Sequence, residues 1–405
     1  ILVVIGDGDK AVFPEDGIMF YESDYLIKPK ALAKNIVFRP GELYNASKIQ
    51  KTYSNLLSTT LFNFVTVRFR PSSKDSNHLL IAEIELKTAP KHDFIWEPQG
   101  IYTEQSSGVE AGQERNLGIA NSFTLRNRNV FGGAESFNIN SFTALEAQLQ
   151  NDDNRTFNSF RQTVNAELNF PQLLYFERKD FSTQLTRKST KFKVSFLHDQ
   201  NVNFTRNVFP FSFSYNFTNK DVSYALTPFR ISVNQAIVES SFLASLDPET
   251  RAYTSQLLTN NLIVGPTASL FWTNKKYSRD AYWSIRSNAL ELSGNLLSLY
   301  FSTFTNNTGI NKEVLGVKYS QYTRSDIDAT FTKIIDENNS WATRFYAGFG
   351  LPYGNTRFLP FERRFFVGGG SGLRAWRPRT VGPGSFTDAS NTISIEKTGE
   401  MILQA

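Results

Sequence analysis

The 405-residue chain has no cysteine, 2 methionines and 3 histidines. Without cysteine there is no disulfide scaffold, no thiolate nucleophile and no thiolate metal site. His78, His92 and His198 stand far apart, without the spacing that brings two imidazoles to one metal ion. Any run of about 18 apolar residues is also missing, so no transmembrane helix is expected. The opening ILVVIG is too short for a signal-peptide core and runs at once into GDGDK. The chain is therefore either cytosolic or preceded by a leader outside this sequence. Basic residues are scattered rather than gathered into a stripe, although the net charge is +5, and this excludes the usual signature of nucleic-acid binding.

A glycine-rich stretch, FFVGGGSGLRAWRPRTVGPG from Phe365 to Gly384, raises two common possibilities. A phosphate-cradling loop needs Lys and then Ser or Thr after its last glycine, so that an ammonium reaches the phosphates and a hydroxyl the metal. Here Leu373 and Arg374 follow Gly372, while Pro378 and Pro383 oppose the helix that a dinucleotide fingerprint must open. A nucleophile elbow needs glycine on both sides of its serine at a distance of two, and Ser371 has Gly369 before it but Leu373 after. Neither chemistry fits. A hydrolase built on His198, in KFKVSFLHDQN, lacks a serine that sequence can place beside it. No catalytic residue, cofactor site or metal site is assigned.

What the chain does have is aromatic: 36 Phe, 16 Tyr and 5 Trp, a balance that favours strands. The region 17–92 reads as strand, helix, helix, strand, strand. GIMFY supplies the first strand and Lys28–Ile36 a short helix. Asn45 is a good N-cap for a second helix whose Ile49, Tyr53, Leu56 and Leu57 fall on one face. FNFVTVRFRP and LLIAEIELK are the last two strands, joined by the polar turn SSKDSN. Residues 1–16 are expected to be an N-terminal remnant, the end of a preceding domain.

From Asp93 the texture changes. Segments of about ten residues alternate apolar and polar, separated by Asn, Asp, Gly, Lys and Ser. In TVNAELNF, Val164, Ala166, Leu168 and Phe170 alternate with Thr163, Asn165, Glu167 and Asn169. In FPFSFSYNF, Phe209, Phe211, Phe213, Tyr215 and Phe217 alternate with Ser212, Ser214 and Asn216. About ten such segments precede the glycine-rich stretch. A soluble sandwich also alternates, but Asn, Ser, Gln and Arg opposite large aromatics suit lipid-facing aromatics around a polar lumen. One segment breaks the rhythm: Glu239 to Asn261 reads as a loop holding a short helix that starts near Asp247.

Three features taken together resemble the BamA/TamA superfamily of outer-membrane assembly proteins, with wording closest to the TamA-like branch of Bacteroidota. They are the strand-helix-helix-strand-strand unit, the turn NRNVFGGAE, and the run Gly368, Gly369, Gly370, Leu373, Arg374, Ala375, Trp376, Gly382, Pro383 and Gly384. The family usually has Gly where Ala375 stands and Phe where Trp376 stands. The resemblance implies a periplasmic POTRA domain at 17–92 and a transmembrane antiparallel β-barrel of about sixteen strands from 93 to 405. It implies further strands after EMILQA, so the sequence is expected to be part of a longer chain. It also implies that Arg374 holds an inward loop to carboxylates of the barrel wall beyond this sequence, with Trp376 packed beside it.

The expected first barrel strand, Asp93 to Ser107, carries Phe94, Trp96, Pro98, Gly100 and Tyr102. Proline removes a ladder donor and glycine weakens a strand, so this strand should pair poorly with the last barrel strand and form a lateral gate. The resemblance implies unfolded outer-membrane protein clients, outer-membrane lipid and periplasmic or lipoprotein accessory subunits as partners, with no nucleotide or other cofactor. The bacterial outer membrane is the implied location. A two-partner-secretion transporter would share the barrel, the POTRA domain and the loop signature. A passive porin would share the barrel alone.

Overall fold

The structure, a computed structural model, describes all residues except 6–9, 23–26, 73–78, 107–112, 149–158, 176–186, 202, 220, 247, 277–279, 305–311, 370, 371, 375, 377, 378, 380 and 382–397. The chain begins with three short strands, β1 (Leu2–Ile5), β2 (Lys10–Glu15) and β3 (Ile18–Glu22). Two helices follow, α1 (Pro29–Ala33) and α2 (Ala46–Ser58), and then β4 (Phe62–Pro71) and β5 (Leu80–Thr88). The five strands form one sheet in the order β2-β3-β1-β5-β4, with β1 parallel to both β3 and β5. Residues 1–16 are thus not a remnant of a separate domain. Val3 and Ile5 lie in the core with Ile18, Phe20, Ile84 and Leu86, and a segment that supplies a central strand cannot stand apart from its sheet.

Helix α2 forms where the spacing predicts it. The Asn45 side chain accepts from the amides of Ser47 and Lys48 at 3.0 and 3.3 Å, satisfying two donors that the first turn leaves open. Leu56 is fully buried against the sheet.

The second sheet is large and antiparallel. Its strands are β6 (His92–Ser106), β7 (Gln113–Asn127), β8 (Ser136–Gln148), β9 (Ser159–Phe170), β10 (Arg187–Asn201), β11 (Phe204–Asn219) and β12 (Val222–Val238). After helices α3 (Ser240–Ser245) and α4 (Pro248–Leu257) come β13 (Asn261–Val264), β14 (Thr267–Thr273) and β15 (Ala281–Ser293). Helix α5 (Asn295–Phe304) and the small hairpin β16 (Glu313–Val314) and β17 (Val317–Lys318) precede β18 (Tyr322–Ile334), β19 (Ser340–Pro352) and β20 (Met401–Gln404). Each long strand pairs with the next in order from β6 to β20, and both β13 and β14 pair with β12. The latter two are in effect one strand broken at Gly265–Pro266. Proline lacks a ladder donor, and a Cβ at Gly265 would collide with the Leu292 carbonyl. Among the described residues, no helix is long and apolar enough to cross a membrane.

The alternation seen in the letters sorts the two faces. One face exposes Phe94, Trp96, Phe123, Trp283, Phe345 and Trp341. Rings meet across neighbouring strands, Trp96 with Phe123 at 6.2 Å and Trp283 with Phe331 at 5.0 Å, near the strand ends beside the α/β unit. The other face carries the ion pairs described below. The turn NRNVFGGAE joins β7 to β8 and docks onto the α/β unit: Gly132 accepts from the Lys28 amide at 2.8 Å, and Ala134 enters that unit's core. The short helix expected between Glu239 and Asn261 is present as α4, a second short helix, α3, precedes it, and Asp247 lies outside the described residues.

Candidate functional site: a loop held on the polar face of the sheet

Between β19 and β20 the chain leaves the sheet and folds back over its polar face. The approach is close because β19 offers glycines there. A Cβ on Gly348 would fall 2.6 Å from the Phe365 ring, and one on Gly350 would collide with Leu359. Leu359, Phe361 and Phe365 are consequently buried, Leu359 beside Ile263 and Tyr322. Asn355 fixes the loop's entry by donating to the carbonyls of Lys312 and Tyr319, both at 2.8 Å.

Charge does the rest of the holding. Glu291 of β15 is buried, and its Oε1 accepts from Arg230 of β12 and from the Tyr322 hydroxyl of β18, each at 2.5 Å. Arg363, in the single helical turn Phe361–Arg363, brings its Nε to 3.1 Å from the same oxygen. Arg324 pairs with Asp326 at 2.7 Å, donates to the Arg363 carbonyl at 3.1 Å and lies 4.2 Å over the Phe365 ring. Arg206 and Arg379 lie over Phe361, at 5.0 and 4.5 Å. Desolvated carboxylates are tolerable only when paired and hydrogen-bonded, and here one carboxylate ties three strands to the loop.

Glu291 reaches this face because β15 bulges. Asn288 lies opposite Asp326 and Glu291 opposite Arg324, so three residues of β15 span two of β18. The extra residue turns Glu291 onto the same face as Asn288, whose amide donates to both Asp326 oxygens at 2.9 and 3.1 Å. Sequence reasoning missed Glu291 and Arg363. A signal existed, since the apolar positions of AYWSIRSNALEL change from Trp283 and Ile285 to Leu290 and Leu292, a change of parity that a bulge explains.

The residues singled out from the sequence fall at the loop's far end. Gly368 and Gly369 have φ of 95° and 85°, the left-handed backbone that glycine tolerates. The Gly369 amide donates to the Trp376 carbonyl at 2.8 Å and the Trp376 amide to the Leu373 carbonyl at 3.0 Å, closing a compact turn. Leu373, Arg374 and Trp376 are exposed on that turn. Gly370, Ala375, Gly382, Pro383 and Gly384 lie outside the described residues. The returning chain pairs Gly399 with Phe365, and Glu400 accepts from the Leu359 amide at 3.0 Å.

At the opposite end of the sheet path, β6 pairs with β7 along its whole length, Pro98 opposite Asn121 and Gly100 opposite Ile119. Its other edge has no strand partner among the described residues. Phe94, Trp96, Pro98, Gly100 and Tyr102 alternate along it and share a face, with Phe94, Trp96 and Tyr102 more than half exposed.

The sheet exposes aromatics on one face and carries a charged loop on the other, a distribution similar to that of outer-membrane β-barrels. Comparison with solved structures agrees. The chain is similar to "The crystal structure of BamA from Haemophilus ducreyi lacking POTRA domains 1-3", with a TM-score of 0.53 and 13% identity over 92% of this chain and 65% of that one. It is also similar to CdiB from Acinetobacter baumannii, with a TM-score of 0.52 and 11% identity over 89% of this chain and 58% of that one. For CdiB from Escherichia coli the TM-score is 0.51 and the identity 13%, over 91% of this chain and 62% of that one. Identities this low show the fold alone. The chain spans less than two thirds of the length of these structures. No protein-family model matches the chain, and no curated protein matches it by sequence.

Proposed function

We propose that the protein works in a bacterial outer membrane as an assembly factor that inserts client β-barrel proteins through a lateral gate, without nucleotide and without an enzymatic step. In this reading the α/β unit is a periplasmic POTRA domain that receives unfolded client or accessory subunits. The observation that carries it is β6: a 15-residue strand that contains Pro98 and Gly100 and is partnered by β7 alone among the described residues. An edge of this kind accepts an added strand through main-chain hydrogen bonds. The likeness to BamA and the terms of the sequence resemblance support the same reading.

A second reading, a two-partner-secretion transporter that exports one dedicated soluble protein, is favoured by the likeness to CdiB, nearly as strong as that to BamA. One experiment divides them. The full-length protein is placed in liposomes, urea-unfolded outer-membrane proteins are added, and their heat-modifiable folding is followed. Accelerated folding of several unrelated clients supports assembly. No acceleration, together with export of a single co-encoded soluble protein, supports secretion.

A further inference from the structure

Where α1 and α2 face the ends of β9 to β15, a cavity of about 940 Å³ opens to solvent. Among its described lining residues are six cations, Lys34, Arg39, Lys51, Arg187, Lys188 and Arg286, and no carboxylate. The chain as a whole is nearly balanced, with 43 basic and 38 acidic side chains, so a wall without a single acid is a local segregation of charge. Two of the cations are held by neutral groups: Arg39 donates to the carbonyls of Ala33 and Ile36 at 3.2 and 2.6 Å, and Arg286 lies 5.8 Å over the Phe271 ring. The nearest carboxylates, Glu42 beside Arg39 and Asp328 opposite Arg286 on β18, lie outside the cavity lining. A cavity lined by one sign of charge focuses field and concentrates the opposite sign.

The same wall carries amides. Asn169 and Asn216 line it, and Asn169 Oδ1 and Asn216 Nδ2 are buried without a hydrogen-bond partner, so a ligand in the cavity reaches them as the side chains turn toward it. Leaving such groups unpaired costs about 1–3 kcal/mol each, which favours a ligand that offers both a donor and an acceptor. A peptide bond does so, and a phosphate polymer offers no donor.

We propose that this cavity binds an acidic, extended polypeptide segment, the carboxylates meeting the cations and the backbone meeting the asparagines. The choice of a polypeptide rests on the assembly reading above, whereas the charge requirement rests on the cavity alone. For an assembly factor the site would retain acidic stretches of an unfolded client at the sheet end beside the α/β unit.

The test is fluorescence anisotropy of the detergent-solubilised full-length protein with three labelled 20-residue peptides, Glu/Ser, Gln/Ser and Lys/Ser. The Glu/Ser peptide should bind best, and binding should weaken as salt rises from 50 to 300 mM. A Lys51→Glu, Arg187→Glu double variant should weaken it by at least about tenfold, the effect of several lost charge contacts. Lys318→Glu, in the hairpin β16–β17 at the other end of the strands, should leave the affinity unchanged. Equal binding of all three peptides, or equal losses in the double variant and in Lys318→Glu, overturns the proposal. Tighter binding of polyphosphate than of Glu/Ser peptide, sensitive to the same double variant, overturns the assignment to a peptide. If Glu/Ser binding depends on Lys51 and Arg187 while no client folds faster in liposomes, the assembly reading fails and the acidic-peptide site stands.

Discussion

Arg363 Nε lies 3.1 Å from Glu291 Oε1, and through that contact a loop between β19 and β20 is tied to the middle of the sheet. Arg230 and Tyr322 reach the same oxygen. The carboxylate is therefore a shared anchor, and its loss leaves Arg230 and Tyr322 without an acceptor and Arg363 without its counter-charge.

Glu291→Gln keeps the shape and removes the charge. A buried pair broken on one side destabilises by about 3–5 kcal/mol, because the remaining charges stay desolvated. The expected result is a lower urea midpoint and a lower temperature for loss of heat-modifiable mobility. Arg363→Met, which removes the loop's own charge and leaves Arg230 and Tyr322 in place, should cost less.

The two glycines of β19 give a steric test. Gly350→Ala should destabilise by about 1–3 kcal/mol through overpacking against Leu359. Leu359→Ala alone should cost about 2–5 kcal/mol as a buried truncation. In the double variant the clash disappears, so the combined loss should fall short of the sum by about 1 kcal/mol or more. Strict additivity, measured by urea unfolding of all four proteins, would mean that the loop does not rest on Gly350.

In the α/β unit, Glu42 tests the pH dependence. A hydrogen bond from Lys48 and another from the Arg39 amide hold its carboxyl below the ordinary glutamate value of 4.5. A depressed folded value means stability that is present above about pH 4.5 and is lost as pH falls through the folded value. Wild type should therefore exceed Glu42→Gln in stability at pH 7, and the difference should vanish at pH 2. Hydrogen exchange of the α2 amides at the two pH values reads the effect locally.

Much of this fold was legible because alternation is a local signal. The strands from TVNAELNF to FPFSFSYNF appear where their letters place them, and Asn45 caps α2 because capping depends on neighbours two and three residues away. Placing β1 at the centre of its sheet depends on parallel pairing with Ile18–Glu22 and Leu80–Thr88, contacts that no short window contains. The anchor of the loop was hidden for another reason. A single extra residue in β15 reverses which face Glu291 occupies, so strict alternation assigns it to the wrong side. The conspicuous glycines mark the loop's far end, whereas FERR, a few residues earlier, carries the side chain that reaches Glu291.

The gate makes the last prediction. Gly100 of β6 lies opposite Ile119 of β7, and Gly100→Val would add a β-branched residue to an edge strand that glycine weakens. A stiffer edge that pairs more firmly exchanges partners more slowly. If clients enter by adding a strand to β6, Gly100→Val should slow their assembly about 2- to 5-fold, the effect of some tenths to one kcal/mol of strand preference. Because the chain has no cysteine, a single Gln99→Cys on the same strand offers an unambiguous probe. It should form a disulfide with a cysteine placed in the terminal strand of a stalled client, and Ile335→Cys, in the turn between β18 and β19, should not. Cross-links at both positions, or at neither, together with unchanged assembly by Gly100→Val, would remove β6 from the path of the client.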